Sequence, residues 1–155
     1  MAGGIHTYVT LIGKVSISDD GEGNVDGVYL PNSNLPLRDD RECPVIAETA
    51  SQIDEYLAGK RMSFDVPFVL NGTDFQKKVW NEIGKIPYGE TASYKDLAGR
   101  IGSPGAYRAV GNACNSNPVP LIIPCHRVVA SNGIGGFSNG LVLKRKIMGI
   151  EGIEL

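Results

Sequence analysis

Residues 118–129, Pro-Val-Pro-Leu-Ile-Ile-Pro-Cys-His-Arg-Val-Val, carry three prolines within seven positions. Proline fixes φ and removes a backbone donor, so neither a regular helix nor a central strand is expected before Cys125. The run is apolar and stiff, and it ends by presenting Cys125 beside His126 and Arg127. Such a segment holds one thiol at a fixed point on an apolar floor. A free cysteine is as often a small buried hydrophobe as a nucleophile, so the surrounding chain has to decide between the two.

The 155 residues can bury a real core, as one domain or as a small domain plus a larger one. No stretch of about 18 apolar residues suggests a membrane span, and Met1–His6 lacks the basic and apolar regions of a signal peptide. Three cysteines without a CxxC pair favour a reducing, intracellular setting, cytoplasmic or nuclear, over a disulfide framework. Two histidines 120 positions apart support no metal site. Net charge is −2, but it is unevenly spread. Residues 1–71 hold five Lys/Arg against eleven Asp/Glu, and residues 72–155 hold ten against six. A basic half is the footprint of a phosphate-binding module, although scattered solvated charge produces differences of this size too.

Along the chain, His6–Ile12, Lys14–Ser18 and Val25–Leu30 alternate and are rich in β-formers, with turn residues between them. Two or three antiparallel strands are expected. Pro44–Leu57 is helical by pattern, with Val45, Ile46, Thr49, Ile53 and Leu57 near one face and Gly59 ending it. Nothing in this unit looks chemical, and Cys43 reads as a structural or surface cysteine. After a connector at Arg61–Asn71, Thr73–Gln76 fits a capping box, followed by a core helix carrying Phe75, Val79, Ile83 and Ile86 with Trp80 alongside, broken by Pro87–Glu90.

Ser93–Asp96 is a second capping box, with Tyr94, Leu97, Ala98 and Ile101 at helical spacing and Gly102 as the C-terminal stop. Ser103-Pro104 reads as the cap and first position of a further helix. Ala106, Ala109, Val110 and Ala113 give that helix a small-residue inner face. Its outer face offers Tyr107, Arg108, Gly111, Asn112 and Asn115. Two short helices joined by a tight turn make a helix-turn-helix outline. Val128–Gly136 reads as a short strand and an Asn-Gly turn. In the last helix Leu143, Ile147 and Ile150 face inward, Lys144, Arg145 and Lys146 form the polar side, and Glu151 closes it.

Ile123-Pro124-Cys125-His126-Arg127-Val128 resembles the signature of the O6-alkylguanine-DNA alkyltransferases, or methylated-DNA–protein-cysteine methyltransferases. The resemblance runs from about Thr73 to Gly152 and includes Tyr94, Arg108, Asn117-Pro118, Gly136-Phe137-Ser138 and Glu151-Gly152. It implies an α+β fold: a small N-terminal antiparallel sheet plus helix over residues 1–68, then a mainly helical, winged-helix-like domain over 69–155 carrying the helix-turn-helix. It implies duplex DNA containing alkylated guanine as partner, contacted in the minor groove by a monomer. Tyr107, Arg108, Ala109, Gly111, Asn112 and Asn115 would meet the DNA, with Arg108 filling the gap left by a flipped-out base. A base cannot react inside the stack and has to be extruded.

A thiol of ordinary pKa is only about 3% thiolate at neutral pH, so a nucleophilic Cys125 needs a partner. His126 is adjacent, but neighbours in extended chain point apart, and a bridging water is the economical link. Glu151 could then hold the other imidazole nitrogen and favour imidazolium. By resemblance, Cys125, His126 and Glu151 form the relay, Tyr94 contacts the base and helps protonate it on departure, and Asn117 braces the turn. The carbonyls of Cys125 and Val128 would accept the guanine amine, the Ser138 amide would meet O6, and Phe137, where relatives usually carry tyrosine, would wall the pocket. Arg127 either braces this segment or binds phosphate. Cys114 is a packing residue or a secondary alkylation site. The implied reaction is stoichiometric and irreversible transfer from O6-alkylguanine, with O4-alkylthymine a further candidate, and needs no cofactor. A cysteine-free lesion sensor, a sequence-reading regulator and a cysteine hydrolase fit the Cys125–His126 pair less well.

Overall fold

The computed structural model describes residues 2–155. Three strands form an antiparallel sheet in the order β1 (Ile5–Thr10), β2 (Gly13–Asp19), β3 (Val25–Tyr29). Leu11 and Ile12 make the first turn, with Thr10 opposite Gly13. Gly13 has φ 109°, a conformation that costs a side-chain-bearing residue dearly. Helix α1 (Pro44–Leu57) packs on the sheet and buries Ile46, Thr49, Ala50, Gln52, Ile53, Tyr56 and Leu57. It begins with proline in its first turn, where the missing N–H is no loss.

The second half is helical. Both capping boxes are formed: Thr73 with Gln76 at the start of α2 (Asp74–Ile83), and Ser93 with Asp96 at the start of α3 (Tyr94–Arg100). Strand β4 (Ala92–Ser93) precedes α3 and pairs in parallel with β5 (Val128–Val129). Helix α4 (Tyr107–Asn115) follows α3, and α5 (Leu141–Ile150) closes the chain. The fold is α+β, and the buried residues of both halves join in one apolar cluster. No helix among the described residues is long and apolar enough to cross a membrane.

Three local expectations are corrected. Ser103-Pro104 does not open α4. The Ala106 N–H bonds back to Ser103 O at 2.9 Å, closing a turn across the flexible Gly105, and the helix starts at Tyr107 with Ala106 as N-cap. Ala109 is exposed, so the inner face of α4 is Val110, Ala113 and Cys114. The turn after β5 centres on Ser131-Asn132, one residue before Asn-Gly, with Ala130 bridged to Gly133.

Three hydrogen bonds hold the proline run. Val28 of β3 donates to Pro118 O at 2.9 Å. Asn117 donates from Nδ2 to Ile123 O at 2.8 Å and accepts the Val119 N–H at 3.0 Å. Leu121 sits in the left-handed region at φ 76°, a cost of about 1–2 kcal/mol for an L-residue. Its side chain is buried, and that burial offsets the strain.

Trp80 ties α2 to α4. The indole is 1% exposed, and its Nε1–H donates to Ala113 O at 2.8 Å. Trp80→Phe removes this donor from the carbonyl, which keeps only the Ser116 N–H, and opens a void, so stability falls by about 1–3 kcal/mol. Urea unfolding measures this, and an unchanged midpoint contradicts it.

Candidate active site

The three residues after the proline run wind into a single 3₁₀ turn, Cys125–Arg127, rather than the extended chain expected from sequence. Successive side chains in such a turn still point about 120° apart. Cys125 therefore faces a different direction from His126, and all three residues are buried.

What binds the turn together is the carboxylate of Glu151, which directly follows α5 and whose side chain is fully buried. It accepts from five donors. On Oε1 these are Arg127 Nε at 2.8 Å and Gly89 N at 2.9 Å. On Oε2 they are His126 Nε2 at 2.6 Å, Arg127 Nη2 at 3.1 Å and the hydroxyl of Tyr56. Arg127 also donates to Ile86 O at 2.7 Å and lies over the Tyr88 ring at 5.7 Å. Its guanidinium is thus a buried brace, and the phosphate-binding option is set aside.

The electrostatics follow from this packing. Burial alone would raise the Glu151 carboxyl, but hydrogen bonds from His126 and Arg127 outweigh it and hold it well below the usual carboxylate range. Burial lowers the His126 pKa, and Glu151 opposes that only in part. Burial therefore favours the neutral form of the imidazole. With Nε2–H donating to Glu151, its free lone pair is on Nδ1. Burial pushes the Cys125 thiol up, partly offset by a hydrogen bond from Asn117 and by the charge of Lys144. Burial likewise lifts Cys114 to about 12, so this cysteine is an inert packing residue at rest.

Lys144 corrects the sequence reading most sharply. It is 0% exposed. Its ammonium donates to Val128 O at 2.6 Å, Ile134 O at 2.6 Å and Gly136 O at 2.9 Å. It ties β5 to the loop that carries Phe137 and Ser138, and burial brings its pKa down to about 8. The periodicity contained the signal, because Lys144 lies between Leu143 and the Ile147–Met148 pair on the buried face. Tyr56 was missed as well. Its place on the inner face of α1 is legible, but what its hydroxyl meets across the core is not.

Tyr94 is half-buried, and its hydroxyl accepts the Gly136 N–H at 3.1 Å, joining α3 to the same loop. Gly135, at φ 74°, leaves no room for a side chain: a Cβ would stand 2.8 Å from the Tyr94 hydroxyl. Phe137 packs half-buried on the core, while Ser138 is exposed. Asn139 reaches back to Pro31 O at 3.0 Å and Ser33 Oγ at 2.9 Å, fastening the loop to the N-terminal unit. An open cavity of about 630 Å³ lies elsewhere, around Arg41 and Cys43. A smaller one of about 470 Å³ borders the site between Tyr94, Tyr107 and Ala130–Asn132. On α4, Tyr107, Arg108, Ala109, Asn112 and Asn115 are exposed and Gly111 is half-buried, 3.8 Å from the Tyr94 ring by its ideal Cβ. No group of three or more His, Cys, Asp or Glu that could hold a metal occurs among the described residues.

The Glu151 carboxylate contributes stability that is complete at neutral pH. Its folded pKa is depressed, so that contribution is lost as pH falls below the ordinary glutamate value of about 4.3. Glu151→Gln leaves Arg127 short of its counter-charge and costs about 3–5 kcal/mol at pH 7. The variant's urea midpoint also changes less than the wild type's between pH 7 and pH 3. Equal acid sensitivity in both proteins contradicts this.

A thiol, an imidazole and a buried carboxylate thus stand together in the half of the chain that also carries the exposed polar face of α4. The family model for the DNA-binding domain of 6-O-methylguanine DNA methyltransferase matches residues 74–153. A methylated-DNA–protein-cysteine methyltransferase of Methanosarcina barkeri is 50% identical over 105 residues, 67% of this chain and 66% of that protein. The constitutive methylated-DNA–protein-cysteine methyltransferase of Bacillus subtilis is 43% identical over 157 residues, 96% of this chain and 94% of its own. The crystal structure of the Mycobacterium tuberculosis OGT in complex with DNA superposes with a TM-score of 0.89 at 35% identity, covering 95% of this chain and 91% of that one. The chain belongs to the methylated-DNA–protein-cysteine methyltransferase family.

Proposed function

We propose that this methyltransferase of alkylated-DNA repair moves the alkyl group of O6-alkylguanine onto Cys125 of its own chain, once and irreversibly. The observation that carries the reading is the Glu151–His126 pair, which holds Nε2 of a buried imidazole and leaves Nδ1 to take the proton of the preceding residue's thiol. The proton passes from Cys125 through a bridging water to Nδ1. The thiolate sulfur then attacks the alkyl carbon in line, an S–C bond forms, and the C–O6 bond breaks with its electron pair going to the base. Guanine is restored as a ring nitrogen takes up a proton, for which the Tyr94 hydroxyl is the nearby donor. The thioether formed is chemically inert, so no thiol returns and each molecule acts once. No cofactor is required.

The base has to leave the stack to reach a buried thiol. Helix α4 is the element suited to the minor groove, with small residues Ala109 and Gly111 allowing close approach and Asn112, Asn115 and Tyr107 beside them. Arg108 makes no ion pair among the described residues and is the side chain to fill the vacated stack. The flipped base would lie between Tyr94 and Phe137, with the Ser138 amide toward O6. Its exocyclic amine would donate to the carbonyls of Cys125 and Val128. A carbonyl has two lone pairs, so Val128 O can serve Lys144 and a base together. The division into residues 1–68 and 69–155 assigns support to the first part and DNA contact to the second, with the protein acting as a monomer. Whether O4-alkylthymine fits is a question for the same assay.

Two variants test this. Cys125→Ala abolishes transfer from a duplex carrying one O6-methylguanine while binding to that duplex persists. Transfer retained by this variant overturns the assignment. Arg108→Ala slows transfer from duplex by at least about tenfold, roughly 1.4 kcal/mol. It leaves the reaction of Cys125 with a small alkylating agent unchanged, because the arginine acts on DNA and not on the thiol. Equal slowing of both reactions contradicts the role given to Arg108.

A further inference from the structure

The buried relay is not confined to the C-terminal half. Tyr56 comes from the end of α1, in the N-terminal unit, and is 1% exposed. Its hydroxyl donates to Oε2 of Glu151, and its oxygen lies 3.2 Å from Nε2 of His126. Phe64 at 5.4 Å and Tyr88 at 6.2 Å between ring centroids fix the ring from two sides. The phenol stays protonated, because burial and then the adjoining Glu151 carboxylate raise its pKa far above the ordinary value. It is therefore a permanent donor with a single proton, and the ionised Glu151 receives it.

Oxygen Oε2 is consequently shared between Tyr56, His126 and Arg127. Negative charge that Oε2 commits to the phenol is withdrawn from the imidazole. We propose that Tyr56 is a positioning residue of the transfer chemistry, setting the proton affinity of His126 by sharing Oε2 of Glu151 with it. This rests on the relay reading above. The charged and titratable groups around His126 are few. Arg127 and Cys125 share its turn, Lys144 and Glu151 come from α5 and its end, and Tyr56 comes from α1. Tyr88, before β4, faces Tyr56 and Arg127. The two cations oppose a proton on the imidazole, and Glu151 favours it. Removing the Tyr56 hydroxyl alters Glu151's share without removing a charge. By damping the imidazole, the phenol holds Cys125 as thiol in the free protein, and the N-terminal unit thereby reaches the nucleophile.

The test is a titration of the His126 ring nitrogens by ¹⁵N NMR in the full chain without DNA. The chain has two histidines, so His6→Gln assigns the signals. Tyr56→Phe raises the His126 midpoint by about one pH unit, the worth of one hydrogen bond to a charged group. The pH dependence of Cys125 alkylation by iodoacetamide moves to lower pH in step. Replacing Tyr56 with 3-fluorotyrosine, a stronger donor of nearly the same shape, moves the His126 midpoint downward. It also serves as the reporter should the phenylalanine variant fail to fold. Opposite displacements in the two variants support the proposal. A midpoint that stays in place, or moves the same way in both, overturns it and leaves Tyr56 a packing residue. Because the midpoint is read without DNA, it is scored separately from methyl transfer by the wild type, which tests the underlying reading.

Discussion

One buried carboxylate organises this molecule. Glu151 collects donors from α1, from the turn before β4 and from the 3₁₀ turn that carries the thiol. Removing a carboxylate from water costs several kcal/mol, and only a full set of donors repays it. Tyr56, Gly89, His126 and Arg127 supply that set. The same contacts fix the orientation of His126 and clamp Arg127 beneath Tyr88. Stability and reactivity thus depend on the same atoms. A charge that would be a liability in an apolar core becomes the reference point from which the thiol and the imidazole take their positions.

A second buried charge, Lys144, does similar work. Among the described residues Lys144 has no carboxylate partner, and three carbonyls satisfy its ammonium. Those carbonyls belong to β5 and to the following loop, so the ammonium ties the loop to the strand. The hydroxyl of Tyr94 and the side chain of Asn139 add two further ties, one to α3 and one to the N-terminal unit. A loop with glycines at 133, 135, 136 and 140 pays heavily in entropy when ordered, and these fastenings offset that cost.

Much of this was legible in the chain, because the informative signals were local. Proline at 118, 120 and 124 excluded regular structure before Cys125. The Thr73–Gln76 and Ser93–Asp96 boxes marked two helix starts to the residue, and Pro44–Leu57 followed from periodicity and a terminal glycine. Where local signals competed, the reading slipped. Ser103-Pro104 looks like a helix start, yet the turn closed at Ala106 delays the helix to Tyr107. Lysine prefers water, which points Lys144 outward, although its position on the helical wheel is an inner one. The contacts out of reach were those between distant segments. Tyr56 and Glu151 are 95 positions apart, and no spacing rule connects a tyrosine in one helix to a carboxylate after another. The resemblance in the second half supplied the Cys125, His126 and Glu151 grouping, and it was silent about the residue that the first half adds to it.

The most direct test of self-alkylation is intact-protein mass spectrometry with peptide mapping, after incubation with excess duplex containing a single O6-methylguanine. The expected result is the mass of one methyl group, located on Cys125, with consumption of lesion stopping at one per protein molecule. Continued consumption of lesion by unmodified protein, or a methyl group on Cys43 or Cys114 in place of Cys125, would contradict it.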